Sequence, residues 1–330
     1  MINNPLNIYD SSRDFIDPFM REYTPLVNVT DDLRWFPPEA KVSVWVKVMT
    51  VPPIYSIKWY MAWNIISRAA ARGDLAGKTV GVIASSGNTA SAVARIGRFH
   101  GLMHLVAVVP SDIPDAKVAQ LEFDGVRVIR YPETPGDTCI DHAARLAKKY
   151  NWFNVLQYED ENNWKGQMFI GSQIWEQTQG RVTVAAVGMG TMGTIRGLRE
   201  SLPPSVAVVG GKLAEGNPVP GLRTEKRLQP YFSREGFIEF EVEKGPSYEM
   251  GKAASAAVPA FGPSTGSGMV AAKRFIEKCI ADGTDRDIRN KEGEIVCVFL
   301  GCDLAILYTE RYTGALDPKF FSSKIPGLDD

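Results

Sequence analysis

The sequence predicts an α/β protein whose sheets are mostly parallel and covered by helices. Short apolar strand patterns alternate with helical patterns along most of the 330 residues, and this alternation is typical of parallel sheets. The length fits about two domains of roughly 150 residues each. The composition, with 45% apolar and 23% charged residues, is that of an ordinary globular protein.

In the first half of the chain, strand and helix patterns follow one another in order. Residues 41–48 alternate valine with larger or polar residues, which predicts a strand with one buried face. Pro52 and Pro53 end this strand, and we expect Ser56 to cap a helix over 57–72. Further strands are expected over 79–84, 104–109, 126–130 and 153–157. Further helices are expected from the turn at 85–88 to about His100, from Asp115, and over about 137–150.

The second half continues the alternation around an irregular stretch at 213–245. Strands are expected over 182–187, 205–210, 238–243 and 294–300. Helices are expected over 166–178, from a glycine-rich turn to Ser201, and over 248–257 and 267–281. Ligands of parallel sheets bind at the carboxyl ends of strands. We therefore expect the chemistry in the turns at 85–88, 188–194 and 301–303.

Charge and composition argue against several classes of function. The net charge of −1 favours neither nucleic acid nor an anionic membrane as partner, and no apolar run approaches the roughly 18 residues that span a bilayer. The charged first 30 residues predict no secretory signal. Four cysteines without a CxxC pair predict a reducing, cytoplasmic setting. His100 and His104 are four apart but separated by Gly101, so no metal site is expected.

The segment GMGTMG (188–193) formally matches the GxGxxG pattern between a strand and a helix. A dinucleotide site needs an acidic residue about 20 residues later, at the end of the next strand. That strand ends in Gly210, Gly211 and Lys212. The segment therefore predicts a general phosphate cup at a helix N-terminus. A tight turn that binds nothing is the alternative, and a nucleotide-binding oxidoreductase is a remote one.

The segment GPSTG (262–266) matches the GxSxG pattern of a hydrolase nucleophile. That fold requires a histidine after the serine, and the last histidine of this chain is His142. The hydrolase hypothesis therefore fails. A small-residue turn and a second wall for a bound ligand remain as interpretations.

Two further features indicate an amino-acid enzyme. Ser85, Ser86, Asn88 and Thr89 cluster at the start of a helix and suit a carboxylate, although an elaborate helix cap is the alternative. Lys58 lies in the first turn of a helix among aromatic residues, where the dipole and desolvation lower its pKa. This is the setting of a Schiff-base lysine, while a surface lysine is the alternative.

Taken in order, these segments resemble the cysteine synthase/cystathionine β-synthase family of fold type II enzymes, which use pyridoxal 5′-phosphate (PLP) and share the tryptophan synthase β-like fold. Each segment alone is weak, but their order and spacing are specific. The similar segments are REYTPLV (21–27), PPIYSIK (52–58), ASSGNTASAVA (84–94), the stretch 156–182, GMGTMGTIRG (188–197), FGPSTG (261–266) and EIVCVFLGCD (294–303).

The resemblance implies a role for each matching residue. Lys58 would form the Schiff base, and Asn88 would contact the 3-hydroxyl of the cofactor. The substrate carboxylate would be held by Ser85, Ser86, Gly87, Thr89 and Gln157. The remaining cofactor contacts would come from Gly190, Thr191, Met192, Gly193, Thr194, Ser264 and Cys302.

Three positions depart from the family pattern. Met192 stands where glycine is usual, and Tyr60 replaces a basic residue two positions after the lysine. Cys302 stands where the family places a serine against the pyridine nitrogen, with Asp303 next to it. A neutral thiol suits elimination better than racemisation, whereas an aspartate would reverse this argument. The register of these two residues stays open at the level of sequence.

The resemblance further implies a smaller domain over 45–155 and a larger one over 1–44 plus 156–330, with the cofactor between them in a homodimer. The expected reaction is β-replacement on O-phospho- or O-acetyl-L-serine through an aminoacrylate. The nucleophile is unknown, and the product is cysteine or another β-substituted L-alanine such as 2,3-diaminopropionate. Arg223, in GLRTEKR (221–227), would bind a phosphate leaving group, and an arginine turned to solvent in a charged loop is the alternative. A β-elimination lyase and a catalytically silent regulator are the alternatives.

Overall fold

The structure is a computed structural model that describes residue 9 and residues 11–20, 23–51, 55–228, 233–255 and 261–321. The chain divides into two compact units. Unit 1 comprises Met1–Tyr23 and Ser56–Gln167, and unit 2 comprises Thr24–Tyr55 and Met168–Asp330. Each unit contains one sheet with helices packed on it, which confirms the predicted α/β class.

Unit 1 is built on a four-stranded parallel sheet in the order β5-β4-β3-β6. Its strands are β3 (Val80–Ala84), β4 (His104–Pro110), β5 (Val126–Tyr131) and β6 (Phe153–Asn154). Its helices are α1 (Ser12–Ile16), α3 (Lys58–Arg72), α4 (Asn88–Arg98), α5 (Asp115–Phe123) and α6 (Cys139–Tyr150). Val106 and Val108 alternate along β4 and pack with Val82 against the apolar face of α6. Helix α7 (Asn162–Gln177) begins in unit 1 and ends in unit 2.

Unit 2 is built on a six-stranded sheet in the order β1-β2-β10-β7-β8-β9. Its strands are β1 (Leu26–Asn28), β2 (Val42–Val48), β7 (Val184–Gly188), β8 (Ala207–Leu213), β9 (Ile238–Val242) and β10 (Ile295–Gly301). Its helices are α2 (Thr30–Leu33), α8 (Gly193–Ser201), α9 (Lys244–Ala254), α10 (Pro263–Ala281) and α11 (Thr309–Thr313). Among the described strand pairings of this sheet, β1 with β2 is antiparallel and the other four are parallel. Every residue of the central strand β10 is buried, as expected for a parallel strand covered on both faces.

The division into units differs from the expected boundaries at 45 and 155. The strand predicted over 41–48 is β2, which pairs with β10 along its whole length and so belongs to the larger unit. The segment at 11–20 groups with the smaller unit, because the indole of Trp59 donates to the carbonyl of Ile16 and Phe19 packs on Tyr60. A local pattern predicts a strand but does not specify which sheet supplies its partner.

Several predicted element boundaries need correction. Ser56 does not cap α3, since Ile57 occupies the cap position without a side-chain cap bond. Strand β6 ends at Asn154 and not at residue 157, and α7 begins four residues earlier than predicted. Helix α10 begins at Pro263, whose fixed φ suits the first helical position. The end of the helix predicted over 248–257 lies outside the described residues. Across the described ranges, no helix is long and apolar enough to cross a membrane.

Candidate active site

The predicted site residues fall into two groups, one on each unit. Unit 1 carries Lys58, the segment 85–89 and Gln157. Unit 2 carries the segment 188–194, Arg223, Ser264 and Cys302. We call the segment 85–89 the carboxylate loop and the segment 188–194 the phosphate loop. Among the residues that the structure describes, no group of three or more His, Cys, Asp or Glu side chains could hold a metal ion.

Lys58 is the first residue of α3 and is partly buried. Gly166 of α7 packs so closely on this helix that a Cβ there would lie 2.7 Å from the carbonyl oxygen of Tyr60. The Ile57 carbonyl, which precedes the lysine, accepts a hydrogen bond from Gln167 Nε2 at 3.1 Å. These contacts hold the backbone that carries Lys58 in one position.

Tyr60 explains why the usual basic residue is absent two positions after the lysine. Its side chain is only 1% exposed, and its ring packs edge-to-face on Phe19 with the ring centres 5.8 Å apart. A lysine or arginine here would carry its charge into this buried contact, which is costly. The substitution therefore belongs to the packing of α3 against the segment at 11–20.

The carboxylate loop joins β3 to α4. Gly87 occupies the cap position of α4, and no side chain makes a cap hydrogen bond there. Ser85 and Ser86 precede this cap position, and neither is the N-cap residue of α4. Asn88 and Thr89 form the first turn of α4, where the N–H groups and the helix dipole favour an anion.

Gln157 lies directly beside the carboxylate loop. Its Nε2 donates to the carbonyl oxygen of Ala84 at 2.7 Å, and its side chain is 4% exposed. Asn163 of α7 in turn donates from Nδ2 to the Gln157 carbonyl oxygen at 2.6 Å. Two segments separated by about 70 residues in sequence are thus joined at the end of β3.

The phosphate loop connects β7 to α8, and its glycines permit close backbone approach. A Cβ at Gly190 would overlap the carbonyl oxygen of Gly221, and one at Gly188 would lie 2.8 Å from that of Ser264. Met189 donates its N–H to the Gly211 carbonyl at 2.8 Å. The loop is therefore wedged between β8, the 221–223 segment and the start of α10.

Met192 shows why glycine is usual at this position of the family. Its φ is +64°, in the left-handed region, and its side chain is 3% exposed. A non-glycine residue adopts this conformation at a cost of about 1–2 kcal/mol. Thr191 and Thr194 flank it with hydroxyl groups, and Gly193 begins α8 without a side-chain cap. Burial of the methionine side chain offsets the backbone strain.

Cys302 and Asp303 follow β10 and are both buried. The N–H of Cys302 donates to Thr265 Oγ1 at 3.0 Å, and its thiol donates to the Leu300 carbonyl at 3.4 Å. Asp303 Oδ2 accepts from the Tyr308 hydroxyl at 2.6 Å. Thr265 belongs to the first turn of α10, immediately after Ser264. The structure thus connects the residues after β10 to the GPSTG segment, which sequence reasoning could not do.

Arg223 lies next to the phosphate loop through its backbone. Its N–H donates to the Met189 carbonyl at 3.0 Å, and its carbonyl accepts from Leu213 N–H at 3.1 Å. The side chain is partly buried. Nearby Glu225 is bonded to Lys212 and Arg234, and these bonds hold its pKa at about 2. This carboxylate is therefore already neutralised by other cations.

Sequence reasoning missed Asn163, Gln167, Thr265 and Tyr308. Asn163 and Gln167 are fully buried and four residues apart on α7. Residues at this spacing share one helix face, but Asn163 lies before the helix predicted over 166–178, so the sequence did not place the two amides on one face. Thr265 and Tyr308 likewise carry no signal, because their partners are distant in sequence or in an irregular turn.

With the geometry in place, comparison with known proteins defines the class. The family described as "Pyridoxal-phosphate dependent enzyme" matches residues 21–240, and the chain belongs to this family. PLP is therefore its cofactor, and the chain is a cysteine synthase-like enzyme. It is 29% identical over 288 residues to a cysteine synthase of Aquifex aeolicus, covering 84% of this chain and 85% of that protein. It is 31% identical to cysteine synthase B of Escherichia coli, covering 61% and 66%.

Solved structures share the fold at lower identity. A crystal structure of O-ureido-L-serine synthase covers 96% of this chain and 98% of its own, with a TM-score of 0.76 and 21% identity. A cysteine synthase from Entamoeba histolytica covers 100% and 95%, with a TM-score of 0.75 and 18% identity. These likenesses show the fold type II architecture.

The residues present fit the cofactor's chemistry. The phosphate loop carries the glycines Gly190 and Gly193, hydroxyls on Thr191 and Thr194, and the N–H groups at the N-terminus of α8. These are the donors that a phosphate ester requires. Lys58 supplies a primary amine at the first residue of α3. A primary amine is the group that forms a Schiff base with the aldehyde of the cofactor.

Proposed function

We propose that this enzyme replaces the β-substituent of an O-activated L-serine and so makes a β-substituted L-alanine. The observation that supports this most is the joining of Gln157 to the carboxylate loop at the end of β3. Hydroxyl and amide groups of Ser85, Ser86 and Thr89 lie on that loop, which is the donor set for an α-carboxylate.

Different residues of the chain bind the substrate, anchor the cofactor and transfer the proton. The carboxylate loop and Gln157 hold the substrate carboxylate, and the phosphate loop anchors the cofactor. When bound, PLP withdraws electrons from the substrate's α-carbon. Lys58 Nζ takes the α-proton as the Cβ–O bond breaks and the leaving group departs with its electron pair. The nucleophile then forms a bond to Cβ, and Nζ returns a proton to Cα.

In this proposal Cys302 would be the residue that contacts the pyridine nitrogen of PLP. Asp303 is the rival at this position, and one of its carboxylate oxygens, Oδ2, already accepts from the Tyr308 hydroxyl. The Cys302 thiol donates to the Leu300 carbonyl, and since a thiol is a weak donor it would not protonate the ring fully. This favours β-chemistry over racemisation, in agreement with the proposed reaction.

Arg223 favours a phosphate leaving group and therefore O-phospho-L-serine as donor. Its backbone is fixed beside the phosphate loop by Met189 and Leu213. A guanidinium binds a phosphate dianion through two hydrogen bonds, which an acetyl ester would not need. The homodimer and the nucleophile remain predictions.

The test is product analysis with the PLP-loaded enzyme. O-phospho- and O-acetyl-L-serine are each incubated with sulfide, thiols, amines and amino acids, and the products are identified by mass spectrometry. We expect a β-substituted alanine that requires both donor and nucleophile, and none with Lys58→Ala. Pyruvate and ammonia formed equally with and without nucleophile would replace this proposal by a β-elimination lyase.

A further inference from the structure

Four charged side chains of unit 2 are bonded to one another beside the segment that carries Arg223. We call Lys212, Glu225, Arg234 and Glu239 the ion-pair network. Glu225 accepts from Lys212 Nζ at 2.7 Å and from the two terminal nitrogens of Arg234 at 2.6 and 3.1 Å. Glu239 accepts from Arg234 Nε at 2.7 Å and lies 3.3 Å from Lys212 Nζ. Each of the two carboxylates thus pairs with both cations, and the network carries no net charge.

The network joins the Arg223 segment to the sheet. Lys212 belongs to β8 and Glu239 to β9, whereas Glu225 begins the short 3-10 helix Glu225–Arg227. The side chains of Lys212 and Glu239 are 17% and 16% exposed, so water and salt screen these pairs less than pairs at the surface. The bonds from Arg234 and Lys212 hold the pKa of Glu225 at about 2. Glu225 is therefore negatively charged throughout the physiological range of pH.

Arg223 lies on the same face of the chain as Lys212 and Glu225. Thr224, between Arg223 and Glu225, is extended, with a φ of −79° and a ψ of 165°, and side chains two apart in an extended chain point to the same side. Thr224 pairs in parallel with Leu213, which places Arg223 beside Lys212. The Arg223 side chain is long and flexible enough to span the roughly 7 Å between two such positions and reach the Glu225 carboxylate.

The charge balance of the network therefore matters for Arg223. With one of the two cations removed, a single cation would face two carboxylates, and the net charge of −1 would attract Arg223. A guanidinium that is paired with a carboxylate offers a phosphate fewer donors and less positive charge. In the intact network, Lys212 and Arg234 already satisfy Glu225.

We propose that Lys212 and Arg234 determine the specificity for the donor: they bind Glu225, keep it from pairing with Arg223, and so leave Arg223 to bind the phosphate of the donor. This inference rests on the proposed function of Arg223. Both cations act through Glu225 and are positioning residues. If the network only tethered the Arg223 segment, loss of any of its members would weaken phosphate recognition, and loss of a second member would not restore it.

The kinetic test uses the ratio of kcat/KM for O-phospho-L-serine to kcat/KM for O-acetyl-L-serine. It is measured on the PLP-loaded enzyme as release of phosphate or acetate, with the nucleophile that product analysis identifies. Arg234→Met removes one cation and should lower the ratio about fivefold, the effect of one partly exposed ion pair. Adding Glu225→Gln to this variant removes the surplus negative charge and should restore the wild-type ratio. Glu225→Gln alone should not lower it.

Arg274→Met, alone and together with Glu243→Gln, is the matched control. Arg274 and Glu243 form an ion pair at 2.6 Å in the same unit, and its loss should leave the ratio unchanged. An unchanged ratio in Arg234→Met would overturn the proposal. So would a ratio that stays low after addition of Glu225→Gln, or one that falls in Glu225→Gln alone. Should Arg234→Met fail to fold by circular dichroism, Lys212→Met creates the same surplus charge and replaces it with the same expectations.

A second measurement needs no donor and distinguishes failure of this inference from failure of the proposed function. Phenylglyoxal modifies guanidinium groups, and its rate at Arg223 is compared with its rate at the exposed Arg127 by peptide mass spectrometry. The rate at Arg223 should fall in Arg234→Met and recover with Glu225→Gln, while an unchanged rate in Arg234→Met overturns the inference. If the wild type ignores O-phospho-L-serine, the proposed function of Arg223 fails, whereas the labelling still decides whether the network keeps Glu225 from Arg223.

Discussion

At the residue scale, the departures from the family pattern have local physical explanations. Met192 occupies a left-handed backbone position that glycine adopts without strain. Tyr60 replaces a charge with a buried aromatic contact. Asp303 is engaged by Tyr308, which leaves Cys302 for the cofactor's ring under the proposed function. None of these substitutions removes the amine or the hydroxyl donors on which the chemistry depends.

Replacing Met192 with glycine should give a more stable protein than replacing it with alanine, which is the reverse of the usual order of stability. Both variants lose the buried side chain, but only alanine keeps the cost of a positive φ. We expect the free energy of unfolding, measured by urea denaturation, to be about 1 kcal/mol higher for Met192→Gly than for Met192→Ala. Met189 lies in the same loop, is equally buried and has no positive φ, so there alanine should be the more stable variant.

Arg223→Ala should depress kcat/KM for O-phospho-L-serine far more than for O-acetyl-L-serine. Loss of a charge-assisted contact to phosphate corresponds to about 1.5–3 kcal/mol, or roughly 10- to 150-fold. Lys226→Ala, an exposed cation in the same segment, is the control and should affect both donors little. Equal losses with both donors would assign Arg223 another role and make the acetyl ester the favoured donor.

At the element scale, β2 and α7 carry buried polar groups that the reaction does not use. Lys47 of β2 is completely buried and donates from Nζ to the Thr24 carbonyl and to Gln177 Oε1, each at 2.6 Å. Desolvation lowers the pKa of this lysine to about 7. The group is neutral or partly charged near physiological pH, and its titration is coupled to folding.

Lys47 should make the folded state more stable as pH rises. The pKa of the amine is about 7 in the folded chain and near its ordinary 10.5 in the unfolded chain. Between these values the unfolded chain binds more protons, so the free energy of unfolding should rise by up to about 1.4 kcal/mol per pH unit. Below pH 7 this contribution is constant.

Urea denaturation between pH 7 and 10 measures this slope. Lys47→Met should flatten it, because the titrating group is gone. Lys148→Met, at an exposed lysine, should keep the wild-type slope. A slope that survives in Lys47→Met would assign the pH dependence to other groups.

At the scale of the whole molecule, the chain returns once to each unit, and each unit carries some of the predicted site residues. Strand β2 lies in the N-terminal part of the chain but pairs with β10, whose residues come more than 240 positions later in the sequence. The phosphate loop, the Arg223 segment and the residues after β10 all belong to unit 2, while the amine and the carboxylate loop belong to unit 1.

PLP should raise the melting temperature of the cofactor-free chain and give it a visible absorption band. A ligand that binds only the folded state stabilises it by about 2.7 kcal/mol at 100 times its dissociation constant. Lys58→Ala should keep part of this thermal shift through the phosphate loop but lose borohydride-stable attachment. Lys78→Ala, at another lysine of unit 1, should retain both. A chain that stays colourless with PLP would contradict the site assignment.

Local patterns were sufficient for the order of strands and helices and for the segments that bear the chemistry. The α/β class follows from alternating periodicity, and the carboxylate and phosphate loops follow from glycine and hydroxyl residues just after apolar strands. Boundaries were less predictable. The helix start at Pro263 and the early end of β6 depend on packing partners that are remote in sequence.

The sequence by itself determined the class of fold and the cofactor family and supplied the candidate site residues, because these depend on periodicity and on short ordered motifs. Only the tertiary structure decided that β2 belongs with β10, that Gln157 lies beside the carboxylate loop, and that Gln167 lies against the start of α3. Each of these is a hydrogen bond between segments from 73 to about 250 residues apart. Such bonds depend on how the whole chain packs, and no local pattern encodes them.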